Sequence, residues 1–77
     1  MTAASLSAKL QGIHEFEARV QALAGAVQIE ILDPFEDEDA VAKVHISARE
    51  LKDAIQDIAF DIQDRTGVRI VPLIVYT

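Results

Sequence analysis

The sequence predicts an α+β domain, ordered helix-strand-strand-helix-strand, with a three-stranded sheet that carries both helices on one face. Three observations predict it. Apolar residues recur at steps of three and four over residues 6 to 24 and again over 51 to 62, the spacing of two amphipathic helices. The stretches VQIEIL (27 to 32), AVAKVHI (40 to 46) and VRIVPLIVY (68 to 76) are short and rich in β-branched residues, as strands are. A two-layer arrangement with both helices on the same side of the sheet buries all of these stripes at once.

The 77 residues make one small domain, 1 to 77, near the size at which a single hydrophobic core is only marginally sufficient. Half the chain is apolar, 51% by count, which supports a packed core and argues against disorder. With no Trp, one Tyr and three Phe, that core has to be mostly aliphatic. Cysteine is absent, which excludes disulfides, thiolate zinc sites and thiol nucleophiles together. The N-terminus has no basic region followed by an apolar run, so a signal peptide is not expected. The longest strongly apolar run, Ile70 to Tyr76, is too short to span a bilayer. A cytoplasmic location is therefore expected, with no membrane among the partners.

The first helix is expected from Leu6 to Ala24. Leu6, Leu10, Ile13, Phe16, Val20 and Leu23 build its apolar face, Glu15 and Arg19 form an i,i+4 pair on the far side, and Gly25 stops it. In VQIEIL, Val27, Ile29 and Ile31 face one way and Gln28 and Glu30 the other, a half-buried strand. AVAKVHI alternates in the same manner, with Ala42, Val44 and Ile46 inward. The two strands pair antiparallel around a long hairpin loop, 33 to 39, that contains Asp33-Pro34. SARE (47 to 50) reads as a capping box, Ser47 accepting from Glu50 N–H and Glu50 reaching back, with Ile46 and Leu51 as the hydrophobic staple. The second helix follows to Thr66, ended by Gly67. Pro72 cannot donate to a ladder, so the last strand belongs at an edge or carries a bulge.

Charge is unevenly placed. The formal net charge is −6 from thirteen acids and seven bases, and five of the acids lie in the hairpin loop DPFEDEDA (33 to 40). The eight acids elsewhere nearly balance the seven bases. Such a surface repels nucleic acid and anionic membranes and steers toward basic partners. On the second helix, Leu51, Ile55, Ile58 and Ile62 share an arc of roughly 60°, while Glu50, Asp53, Asp57, Asp61 and Asp64 share another of roughly 80°. Phe60 lands beside the acidic arc, opposite the core stripe. Aspartate is a poor interior helix former, and like charges four apart repel by a few tenths of a kcal/mol per pair. Arg49 and Arg65 offset the ends of the arc by pairing with Asp53 and Asp61. Local stability therefore argues against the arrangement, which reads either as a solubilising surface or as a docking surface for a basic partner.

Chemistry finds little support. The loop lacks the D-x-D-x-D-G spacing and the twelfth-position glutamate of a calcium site. His14 and His45 belong to no zinc pattern, and Ser5, Ser7 and Ser47 to no nucleophile motif. With three glycines there is no phosphate-cradling loop. No catalytic residue, metal or cofactor is expected. The stretch DAIQDIAFDIQDRTGVRIVPLIVYT (53 to 77) resembles the closing helix and strand of minimal nucleotidyltransferase domains. That family's Gly-Ser followed by paired Asp-x-Asp is absent. VQIEIL offers Gln28 and Glu30 instead, so the resemblance implies a catalytically dead relative.

The expectation is a small non-enzymatic interaction domain, an inhibitor or adaptor. It docks on a basic protein through Asp53, Asp57, Phe60, Asp61 and Asp64, with Glu36, Asp37, Glu38 and Asp39 as a second patch. Carboxylates one helical turn apart stand about 6 Å apart along the axis, near the spacing of successive phosphates. In size and charge the chain is similar to phage-encoded inhibitors of restriction and CRISPR complexes, which mimic nucleic acid for basic, nucleic-acid-binding partners. The alternative is a structural module, monomer or homodimer, that self-associates through its terminal strand.

Overall fold

The computed structural model describes residues 6–77; Ser5 lies outside the described residues. Helix α1 runs Leu6–Ala24, strand β1 Ile29–Leu32 and strand β2 Ala40–Ile46. A 3₁₀ turn at Arg49–Leu51 leads into helix α2, Lys52–Thr66, and strand β3, Ile70–Tyr76, closes the domain. The sheet is mixed, in the order β1-β2-β3, with β1 antiparallel and β3 parallel to the central β2. A parallel pair needs a crossover connection, and α2 supplies it.

The register explains how β2 serves both neighbours. His45 N–H donates to Gln28 O (3.0 Å), whereas Ala40 N–H donates to Arg69 O and Ile46 O accepts from Thr77 N–H (2.9 Å). Odd-numbered residues of β2 thus face β1 and even-numbered ones face β3. By the same alternation, residues 71, 73 and 75 of β3 turn their amides toward β2. Pro72 falls in the opposite set, so its missing N–H points away from the sheet and costs no ladder bond. β3 is an edge strand, as its proline requires.

One core holds the layers together. Phe16 and Val20 of α1, Ile55 and Ile62 of α2, and Ala42, Val44 and Ile46 of β2 are fully or almost fully buried. Both helices therefore cover the same face of the sheet. The other face carries neither helix and is still largely apolar: Val41 is buried, Leu32 and Val75 are half-buried, and Val71 and Leu73 are exposed. Gly25 (φ 85°) and Gly67 (φ 78°) end the helices in the left-handed conformation, each N–H returning to the carbonyl four residues back. No helix among the described residues is long and apolar enough to cross a membrane.

Four expectations need correction. The α1 stripe is only half buried, with Leu6, Leu10 and Leu23 exposed. The helix turns instead to bring Gly12 against Val68, where a Cβ would stand 2.9 Å from Val68 Cγ1. Glu15 and Arg19 do pair (3.1 Å), but beside α2 rather than on a far side. The capping box does not form: the helical stretch begins with a 3₁₀ turn whose N-cap is Ala48, without a side-chain cap. Shifting the start by one residue moves Ser47 out of reach of the first free amides. Strands β1 and β3 begin at Ile29 rather than Val27 and at Ile70 rather than Val68, because Val27 N–H is engaged by Gly25 O (2.8 Å) and Val68 N–H by Thr66 Oγ1 (3.1 Å) in the turns that leave the helices.

Candidate functional site

The acids of α2 divide into two groups. Asp61 faces α1 and accepts from Arg19 Nη1 (2.6 Å) and Arg65 Nε (3.0 Å). Glu15 on α1 accepts from the same two arginines, 3.1 Å from Arg19. Two carboxylates and two guanidiniums alternate in a closed, charge-neutral ring that ties the helices together across their exposed seam. Arg19 first and Arg65 second hold the Asp61 carboxyl below its ordinary range, since both donate to its charged form. Arg65 pairs with Asp61 as expected, whereas Arg49 stacks over the Tyr76 ring, 4.4 Å from its centroid.

Asp53, Asp57 and Asp64 remain exposed, and Phe60 is 62% exposed beside them. On a helical wheel these four share an arc of roughly 60°, turned away from both the core and α1. Next to Phe60 the surface sinks into an open cleft of about 440 Å³. Phe60, Ala59, Gln56 and Gln63 of α2 form one wall, and the chain from Arg69 to Pro72 forms the other. Helical periodicity explains the wall: residues 56, 59, 60 and 63 lie on the β3 side of α2.

The loop acids have mostly internal tasks. Glu38 is 9% exposed, and its Oε2 accepts the backbone N–H of Phe35 (2.8 Å) and of Glu36 (3.3 Å). The Phe35 amide first, with those of Glu38 itself and Glu36, holds this carboxyl below the ordinary glutamate value. Asp39 accepts the Arg69 backbone N–H (2.8 Å) and lies 3.8 Å from Lys9 Nζ. Asp37 pairs with Arg69 Nη1 (2.7 Å). Two of the four acids assigned to a second patch, Glu38 and Asp39, thus fold the loop and fasten it to the start of β3, while Glu36 and Asp37 are exposed, Asp37 in a surface ion pair. Loop and helix do not merge into one acidic surface. Arg69, a cation bonded to the loop and lining the cleft, stands between them.

Among the described residues no three acids or histidines converge on a position that could hold a metal ion. At the positions where the nucleotidyltransferase resemblance would want two acids, Glu30 of β1 lies 2.7 Å from His45 Nε2, and Gln28, just ahead of the strand, is exposed. Sequence reading had marked Phe60 and the outer aspartates but missed Arg69 and the cleft. The cleft depends on how α2 lies against β3, which no local pattern encodes. The two i,i+4 pairs, Glu15–Arg19 and Asp61–Arg65, were the legible trace of the ring. Comparison with protein-family models, with curated proteins and with solved structures returns no match.

Proposed function

We propose that the chain is a small protein-interaction domain that docks on a basic protein surface through the outer side of α2. The observation that carries this reading is the segregation on that helix: Asp53, Asp57 and Asp64 are exposed along one side of an exposed Phe60, while Asp61 is already neutralised by its two arginines. An exposed aromatic side chain flanked by charges of one sign supplies an apolar anchor together with long-range steering. Glu38 and Asp39 contribute by shaping the loop, Asp37 pairs with Arg69 at the surface, and Glu36 extends the acidic field. An inhibitor or adaptor acting on a nucleic-acid-binding complex fits this charge pattern.

The test reverses charge where nothing structural depends on it. Asp57→Lys with Asp64→Lys should abolish capture of basic proteins from a host extract while the melting temperature holds or rises, because repulsion along the helix is relieved. Asp61→Lys is unsuitable, since it breaks the ring between the helices. Retention of the same partners by the double variant would show that this side of α2 is not the interface. A second reading, self-association through β3, is favoured by that strand's open edge. Sedimentation as a monomer at high protein concentration would remove it.

A further inference from the structure

The cleft beside Phe60 runs along the open edge of β3. Residues 71, 73 and 75 bond inward, so the N–H groups of Ile70, Ile74 and Tyr76 and the carbonyls of residues 70, 72, 74 and 76 point outward, past the last strand of the sheet. Between this edge and α2 lies the open groove of about 440 Å³, floored by Ala59, Ile70 and Pro72. A groove between a helix and a sheet edge suits an extended peptide, whose backbone completes the ladder while alternate side chains enter the groove.

We propose that this groove accepts an extended basic peptide segment of another protein as a fourth strand on β3, with an aliphatic side chain against Phe60 and Pro72 and flanking lysines or arginines facing Asp57 and Asp64. Charge decides between occupants. A second copy of this chain carries a net charge of −6 and is repelled, whereas a basic segment is drawn to Asp57 and Asp64, exposed on α2 just beyond Phe60. Arg69, the cation lining the groove, is paired with Asp37. Pro72 sharpens the selection. By removing one outward donor, it weakens indiscriminate pairing along the edge. It keeps its carbonyl, and the stretch from Ile74 to Tyr76 stays intact.

This inference rests on the docking reading above, and the experiment separates the two. The probe is a fluorescent peptide, KRKTVLVTKRK, together with the same peptide methylated on alternate backbone nitrogens and an acidic counterpart, EDETVLVTEDE. The basic peptide should bind and protect the amides of Ile74 and Tyr76 from hydrogen exchange. Methylation should weaken binding by about tenfold, the effect of losing two or three strand hydrogen bonds, and the acidic peptide should not bind. Phe60→Ser should weaken the complex without lowering the melting temperature. Equal binding of methylated and unmethylated peptides, lost on Asp57→Lys with Asp64→Lys, would overturn strand addition and leave the acidic docking surface standing. Failure of both basic peptides to bind would overturn the groove proposal and leave the docking reading to its own charge-reversal test.

Discussion

Gly12 carries more of the packing than any neighbour of its size. Alanine is the better helix former by about 1 kcal/mol, yet a Cβ there would stand 2.9 and 3.0 Å from two carbons of Val68, which is fully buried. A β-branched side chain wedged in the core cannot swing aside. Gly12→Ala should therefore destabilise the domain by about 1–3 kcal/mol, and most of that penalty should vanish when it is introduced into a Val68→Ala background, which denaturant melts of the double-mutant cycle would measure. Glu38 gives a second prediction at this scale. Folding lowers its pKa, so the carboxylate contributes stability above the ordinary glutamate value of about 4.3 and loses that contribution as pH falls through the folded value. Glu38→Gln should melt below the parent at pH 7, and the gap should close in acid, when both side chains are neutral. Neither role was legible in the sequence. A buried loop carboxylate and a glycine in van der Waals contact with a valine 56 positions away reveal themselves only in three dimensions.

At the level of elements, the long periodic segments were the legible ones. Both helices end at the expected glycines, and β2 occupies the predicted residues. Periodicity marks an apolar arc without saying which part of it meets the sheet. On α1 the close approach at Gly12 chose the arc around Phe16 and Val20 and left Leu6, Leu10 and Leu23 outside. The start of α2 was misread for a related reason. Ser47 and Glu50 had the right spacing, but the chain leaving β2 enters a 3₁₀ turn first, and Ala48 became the cap. A residue whose side chain can accept should do better there: Ala48→Ser should stabilise the domain by about 0.5–1 kcal/mol, read as a raised midpoint in urea. Among the residues of the proposed site, the exposure of Asp53, Asp57, Asp64 and Phe60 was legible because exposure on a helix follows directly from its wheel. Asp61 sits at the margin of the same arc, and only the approach of α1 decides that its charge is neutralised.

For the whole molecule, the acids that look alike in composition do different work. The ring of Glu15, Arg19, Asp61 and Arg65 is neutral, and Asp37 and Asp39 are matched by Arg69 and Lys9. The unbalanced charge therefore sits largely on the exposed acids, prominently those of α2. In a body of 38 × 22 × 17 Å, these charges repel one another across the molecule at low salt, where the screening length is about 30 Å at 10 mM and about 8 Å at 150 mM. Raising salt between those limits should raise the melting temperature by about 2–4 °C, the equivalent of roughly half a kcal/mol for a domain this small. Reversing Asp53, Asp57 and Asp64 to lysine changes the net charge from −6 to zero. In that variant salt has little net repulsion left to screen and weakens only the ion pairs, so its melting temperature should stay level or fall over the same titration. If the triple variant instead gained as much from salt as the parent, the repulsion would have to reside elsewhere, and α2 would lose its claim to be the place where stability is given up for recognition.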